Sequence, residues 1–322
     1  MAKNAGKTET LNYVLSALQT CKKRVAVTSI GLDGEQIDQI FGTQKPEITI
    51  YAGMLFVTVE KFFAKKNFDA TILKTGDNEG ILGKLITAQA LTTGKIILSG
   101  APDTQTLKQI IDNNSKLGAD LTLVDGATSR LSLASPAVTD ALILATGTAL
   151  SPDIQTVVNK TKFVVSLISL PLADQNLQNI LLNVKKGLFF IDSNQQLIDL
   201  QIESALLSNS FFYNNILKTV QTHKTMFVSG AVNDRLLNFI ILNNMANGFT
   251  VVVNDFTKLF ISSQIYNIFI KKGGKICVLH RTNLIAITVN PTSPEGYVVN
   301  SLHLQAALRE KIDLPIFNVR EL

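Results

Sequence analysis

The sequence predicts an α/β protein: a doubly wound, mostly parallel sheet domain with a second, smaller α/β domain after it. Three observations carry that prediction. Short β-branched runs alternate with segments whose apolar residues recur every three or four positions, the pattern of βαβ units. The runs, such as Val25-Ala26-Val27, Ile96-Ile97-Leu98 and Leu121-Thr122-Leu123-Val124, are almost wholly apolar, as strands covered by helices on both faces must be. The alternation lapses near residue 171 and resumes near 222.

Taken in order, the first helix is expected over residues 8–19, where TETLNYVLSAL is amphipathic. Strands are expected at 24–30, 48–51, 70–73, 95–98, 121–124, 141–144 and 162–167, with helices at 60–66, 81–91, 103–116 and 153–159 between them. These make a first domain over residues 1–170. Residues 171–221 carry apolar residues at helical spacing and read as a mostly helical connector. A C-terminal α/β domain over 222–322 follows, with strands near 226–229, 250–254, 275–279, 284–289 and 316–319.

Composition narrows the function classes. The chain has 322 residues, 46% hydrophobic and 17% charged, enough to bury sizeable cores and too apolar for long disordered tails. Its net charge of +5 comes from scattered pairs such as Lys65-Lys66 and Lys271-Lys272, without the gathered basic face and stacking aromatics of a nucleic-acid footprint. Cys21 and Cys277 lack zinc or disulfide spacing, and cytoplasm is the expected compartment. The longest uncharged apolar stretch, residues 163–173, is too short to span a bilayer. His223, His280 and His303 stand apart from one another, and Ser229 lacks the GxSxG frame of a hydrolase nucleophile.

One motif carries chemistry. Residues 2–8 read AKNAGKT, and Gly6, Lys7 and Thr8 fill the last three places of the phosphate loop GxxxxGK[ST] ahead of a helix. In such a loop the backbone amides of Asn4, Ala5, Gly6, Lys7, Thr8 and Glu9 would cradle phosphates, Lys7 would meet their oxygens and Thr8 would hold Mg²⁺. The tripeptide alone reads sooner as a plain helix start with Thr8 near its cap, so context has to decide. Asp33, in the Gly31-Leu32-Asp33-Gly34-Glu35 segment after a strand, and Asp125, ending the run before Gly126, are acids expected at strand tips, where Mg²⁺ ligands sit. Lys45-Pro46, ahead of a strand, and Gly76-Asp77 and Gly100-Ala101-Pro102-Asp103, after strands, read as turns.

On AKNAGKT, SIGLDGE, KPEITIYAGMLFVT and LTLVDGATSR, the first half resembles the P-loop NTPases that include dethiobiotin synthetase and the cobyric-acid-type amidotransferases. The whole chain resembles the small reactivase subunits of lysine 5,6-aminomutase, accessory proteins of bacterial lysine fermentation. The resemblance implies a P-loop NTPase-like fold, ATP and Mg²⁺ as cofactors, and catalytic roles for Lys7 and Asp125. It also implies a chaperone-like subunit that works with a MutS-like ATPase to free a cobalamin-dependent aminomutase from damaged cofactor. The family's pattern places a strand and a first loop glycine before this point, where Met1 stands. The expectation is therefore a reading frame that extends upstream, and a weakened site in residues 1–8 as written. Two alternatives remain: a ligase of the dethiobiotin-synthetase class that activates a metabolite carboxylate, and a non-catalytic interaction protein on a nucleotide fold.

Overall fold

In the computed structural model of the protein, residues 4–30, 47–80, 82–126, 135–184, 186–192, 194–202, 216 and 223–322 are described. The chain is a mixed α/β structure of several mostly parallel sheets, and it divides into two compact units. The first comprises residues 1–133, 143–158 and 286–322, the second residues 134–142 and 159–285.

The first unit begins with helix α1 (Lys7–Leu18), which buries Thr10, Leu11 and Leu15. Strand β1 (Val25–Ser29) is buried along its whole length. Next come β2 (Ile48–Ile50), β3 (Leu55–Val59), the single turn α2 (Glu60–Phe63), β4 (Ala70–Gly80), β5 (Gly83–Ala90) and β6 (Gly94–Ile96). Helix α3 (Thr104–Lys116) and β7 (Leu121–Asp125) complete the run. One sheet has the order β4-β5-β3-β1-β7, with β3, β1 and β7 parallel and β5 antiparallel to both of its neighbours, β3 and β4. Its core joins Leu11 and Leu15 of α1 to Val25, Val27, Ile50 and Phe56. A fully buried side chain of this kind contributes roughly 2 kcal/mol.

Strand β8 (Leu142–Gly147) and helix α4 (Ile154–Ile168) follow. The second unit then contains α5 (Gln175–Leu181), β9 (Leu188–Ile191), β10 (Leu197–Asp199), β11 (Thr225–Val228), β12 (Val232–Asn233) and α6 (Asp234–Leu242). It continues through β13 (Thr250–Val253), a 3₁₀ turn (Phe256–Lys258), β14 (Leu259–Phe260), α7 (Ser263–Lys271) and β15 (Lys275–Val278). Its sheet order is β10-β9-β11-β13-β15, parallel from β11 to β15. The same strand, short strand, helix arrangement occurs twice, and the two short strands β12 and β14 pair in parallel. Buried Asp255 accepts hydrogen bonds from the Ser135 hydroxyl at 2.7 Å and from the Thr257 amide at 2.9 Å, and so pins residue 135 to this unit.

The chain ends with β16 (Leu284–Asn290), α8 (Ser301–Arg309) and β17 (Ile316–Phe317). These strands form a sheet of order β17-β16-β8, with β16 and β17 parallel. The first unit therefore recovers the last 37 residues, 286–322.

Several elements differ from the expectation. Where a helix over 81–91 is expected, residues 83–90 form strand β5, because Ile86, Ala88 and Ala90 alternate inward while the strand pairs with β3 on one side and β4 on the other. Residues 162–167 belong to helix α4, not to a strand: the β-branched run is the far half of a segment capped at Asp153, which accepts from the Thr156 amide at 2.7 Å. Within the supposed helical connector, α5 is helical, whereas β9 and β10 pair as antiparallel strands. Gly76-Asp77 lies inside β4 rather than in a turn, and β3 is a strand that the periodicity of KPEITIYAGMLFVT did not separate from β2. Among the described residues no helix is long and apolar enough to cross a membrane.

Candidate functional site

The segment from Asn4 to Glu9 makes a tight turn into α1. Asn4 has φ +61° and Gly6 has φ +91°, the left-handed region that glycine enters without a Cβ penalty. Gly6 is the N-cap, and its carbonyl accepts from both the Thr10 amide and the Thr10 hydroxyl, each at 3.0 Å. Ala5 is buried, Lys7 and Thr8 are half-buried, and Asn4 and Glu9 are exposed. The first helical amides, with the positive end of the helix dipole behind them, form the kind of terminus that accepts an anion. Glu9 forms an ion pair with Arg320 at 2.8 Å; both side chains are more than half exposed, so the pair contributes little to stability.

The turn lies at the carboxyl end of β16. Asn290, the last residue of that strand, donates from Nδ2 to the Asn4 carbonyl at 3.1 Å. A Cβ added to Gly6 would lie 3.1 Å from the Asn290 Cβ. One helical turn further on, the Thr10 and Thr288 hydroxyls are 2.8 Å apart in a buried contact. Asn290 and Thr288 went unread in the sequence, although Asn290 carries the same signal as Asp125: a polar residue that ends an apolar strand.

Asp125 closes β7, opposite Ser29 of β1, and its carbonyl accepts from the Ile30 amide at 3.2 Å. Helix α1 packs against β7. Beside Asp125, the space that a Cβ on Gly126 would take is open. At the tip of β1, Ile30 bridges Ala101, and a Cβ on Gly100 would come within 1.7 Å of the Ser29 carbonyl oxygen, so only glycine allows this approach. Asp33 and its neighbours Gly31, Gly34 and Glu35, together with Lys45, Pro46 and Ala127, lie outside the described residues. Of the three expected metal ligands, Thr8 and Asp125 are described. Each carries an oxygen suited to a hard cation, and both belong to the first unit. Among the described residues no group of three or more His, Cys, Asp and Glu gathers as a ready metal site.

Other candidates are occupied structurally. Asp103 caps α3 by accepting from the Thr106 amide at 2.8 Å, and that bond holds its carboxyl below the usual range. Ser229 Oγ accepts from the Gly187 amide at 2.9 Å, and Asn254 donates to the Ser229 carbonyl. Burial pushes the Cys277 thiol up, away from the thiolate a nucleophile needs. No protein-family model matches the chain, and searches of curated proteins and of solved structures likewise return no match.

Proposed function

We propose that the turn ahead of α1 binds the phosphates of ATP, as a P-loop NTPase-like site on a wound sheet. The observation that carries this reading is the left-handed Gly6 at the head of α1, which lets the backbone turn directly into the helix without a side-chain cap. Lys7 would neutralise phosphate oxygens, while the Thr8 hydroxyl and the Asp125 carboxylate, with Asp33, would serve Mg²⁺. When bound, Mg²⁺ would screen the phosphate charge. On the resemblance in AKNAGKT and LTLVDGATSR, the biological role is an ATP-dependent reactivation subunit that serves a cobalamin-dependent aminomutase together with a MutS-like ATPase.

Calorimetry with Mg-ATP tests the site. Lys7→Ala removes a charge-assisted contact and is expected to weaken affinity about ten- to hundred-fold; unchanged affinity overturns the reading. The role is tested by co-purification from cell extract with and without ATP. Recovery of an aminomutase or a MutS-type ATPase supports it, and recovery of neither in either state rejects it.

A further inference from the structure

We infer that Asn290 is a positioning residue of the phosphate turn: the far end of the chain, through β16, sets the backbone that would receive the nucleotide. The inference rests on the reading of that turn as a phosphate site, and its geometry stands on separate contacts.

Asn290 is fixed from three sides. Its carbonyl accepts from the Thr148 amide at 3.0 Å. A Cβ on Gly147 would come within 2.0 Å of that same carbonyl oxygen, so the end of β8 closes directly on it. Its Oδ1 accepts from the Thr292 amide at 3.1 Å. These contacts assign the side-chain amide's orientation, because the Thr292 N–H requires the oxygen and the Asn4 carbonyl requires the nitrogen. Nδ2 therefore points to Asn4, the residue at φ +61°, while the Asn290 Cβ lies under Gly6 at φ +91°. Both left-handed residues of the turn thus meet one side chain. A left-handed conformation at a non-glycine such as Asn4 persists only where the surroundings hold it, and Asn290 supplies the hydrogen bond that does so. The Thr10 and Thr288 hydroxyl pair ties the next helical turn to the same strand.

The consequence concerns the pre-organisation of the amides of residues 5–9. With Asn290 in place they hold one arrangement; without it the turn samples others, and an anion must select among them. Asn290→Asp keeps the shape and the acceptor for Thr292 and puts a charged oxygen in place of the donor to Asn4. That charge also repels phosphate, so its affinity is read beside Asn290→Ala, which adds no charge and removes donor and acceptor alike.

The test is calorimetry with Mg-ATP on the full chain and both variants, alongside amide hydrogen exchange and thermal melting. Both variants are expected to weaken Mg-ATP binding by roughly ten-fold or more and to speed exchange of the Thr10 amide, which the Gly6 carbonyl of the turn holds, with the melting temperature and the exchange of β11 and β13 unchanged. Wild-type affinity, or wild-type exchange at Thr10, in Asn290→Asp overturns the inference. So does a loss of affinity that only follows a lowered melting temperature. If the unaltered chain does not bind Mg-ATP, the phosphate reading fails; the exchange measurement then still decides whether Asn290 holds the turn. If Asn290→Ala fails to fold, exchange at Thr10 in Asn290→Asp decides alone.

Discussion

Gly6 and Lys7 are neighbours with separable tasks. Gly6 answers a backbone demand: at φ +91° any L side chain is strained, and its Cβ would also press on Asn290 at 3.1 Å. A left-handed alanine costs about 1–2 kcal/mol, so Gly6→Ala is expected to lower the melting temperature and to weaken Mg-ATP binding together. On the proposed phosphate site, Lys7→Ala is expected to weaken binding more than it lowers the melting temperature, because alanine keeps the helical backbone at this position. Thermal melting and calorimetry on the two variants distinguish a residue that shapes the turn from one that touches the ligand. A Gly6→Ala protein that melts like the parent would contradict the strain argument.

Helix caps show how elements are held at their ends, and the cap of α3 has a pH signature. Asp103 accepts from the Thr106 amide at 2.8 Å and from its hydroxyl at 3.0 Å. The amide bond is the main cause of its lowered pKa. A carboxyl whose pKa is lower in the folded state stabilises the fold above its unfolded value, and that contribution is lost as pH falls through the folded value. Asp103→Ala should therefore cost about 1 kcal/mol at neutral pH, with the small end favoured because the group is exposed. Urea denaturation of both proteins at neutral and at strongly acid pH checks this: the difference should shrink in acid, and a difference that persists would reject the cap as its source. Among longer elements, Asp103–Lys116 was legible because an acid cap precedes a long 3.6-residue pattern. Residues 81–91 were not, since LITAQAL satisfies both periods and only pairing with β3 and β4 selects the strand.

For the whole molecule, the last 37 residues belong to the first unit. They bring buried Ile287, Val289, Leu304, Leu308 and Ile316. At roughly 1.5–3 kcal/mol each, these side chains together match the whole stability of a domain, about 5–15 kcal/mol. Deleting residues 286–322 is expected to abolish cooperative unfolding of the first unit, followed by circular dichroism on heating. A sharp transition of unchanged amplitude in the shortened chain would show that the unit does not depend on its C-terminal part. Such a deletion also removes Asn290, so it cannot stand in for the point variants as a test of the turn.

Local pattern alone was enough to announce an α/β chain, the helix after Gly6, the strand ending in Asp125, and Gly6, Lys7 and Thr8 as the residues to watch. Those features rest on periodicity, turn chemistry and the side chains within a few positions, all of which are written consecutively. The partner of the turn was not legible, because the contacts of Asn4 with Asn290 and of Thr10 with Thr288 span separations of 286 and 278 residues. A lone asparagine at a strand end carries no mark of what it will touch. Only the packing of β16 beside β8 brings it under the glycine, and there the geometry of the candidate site is set.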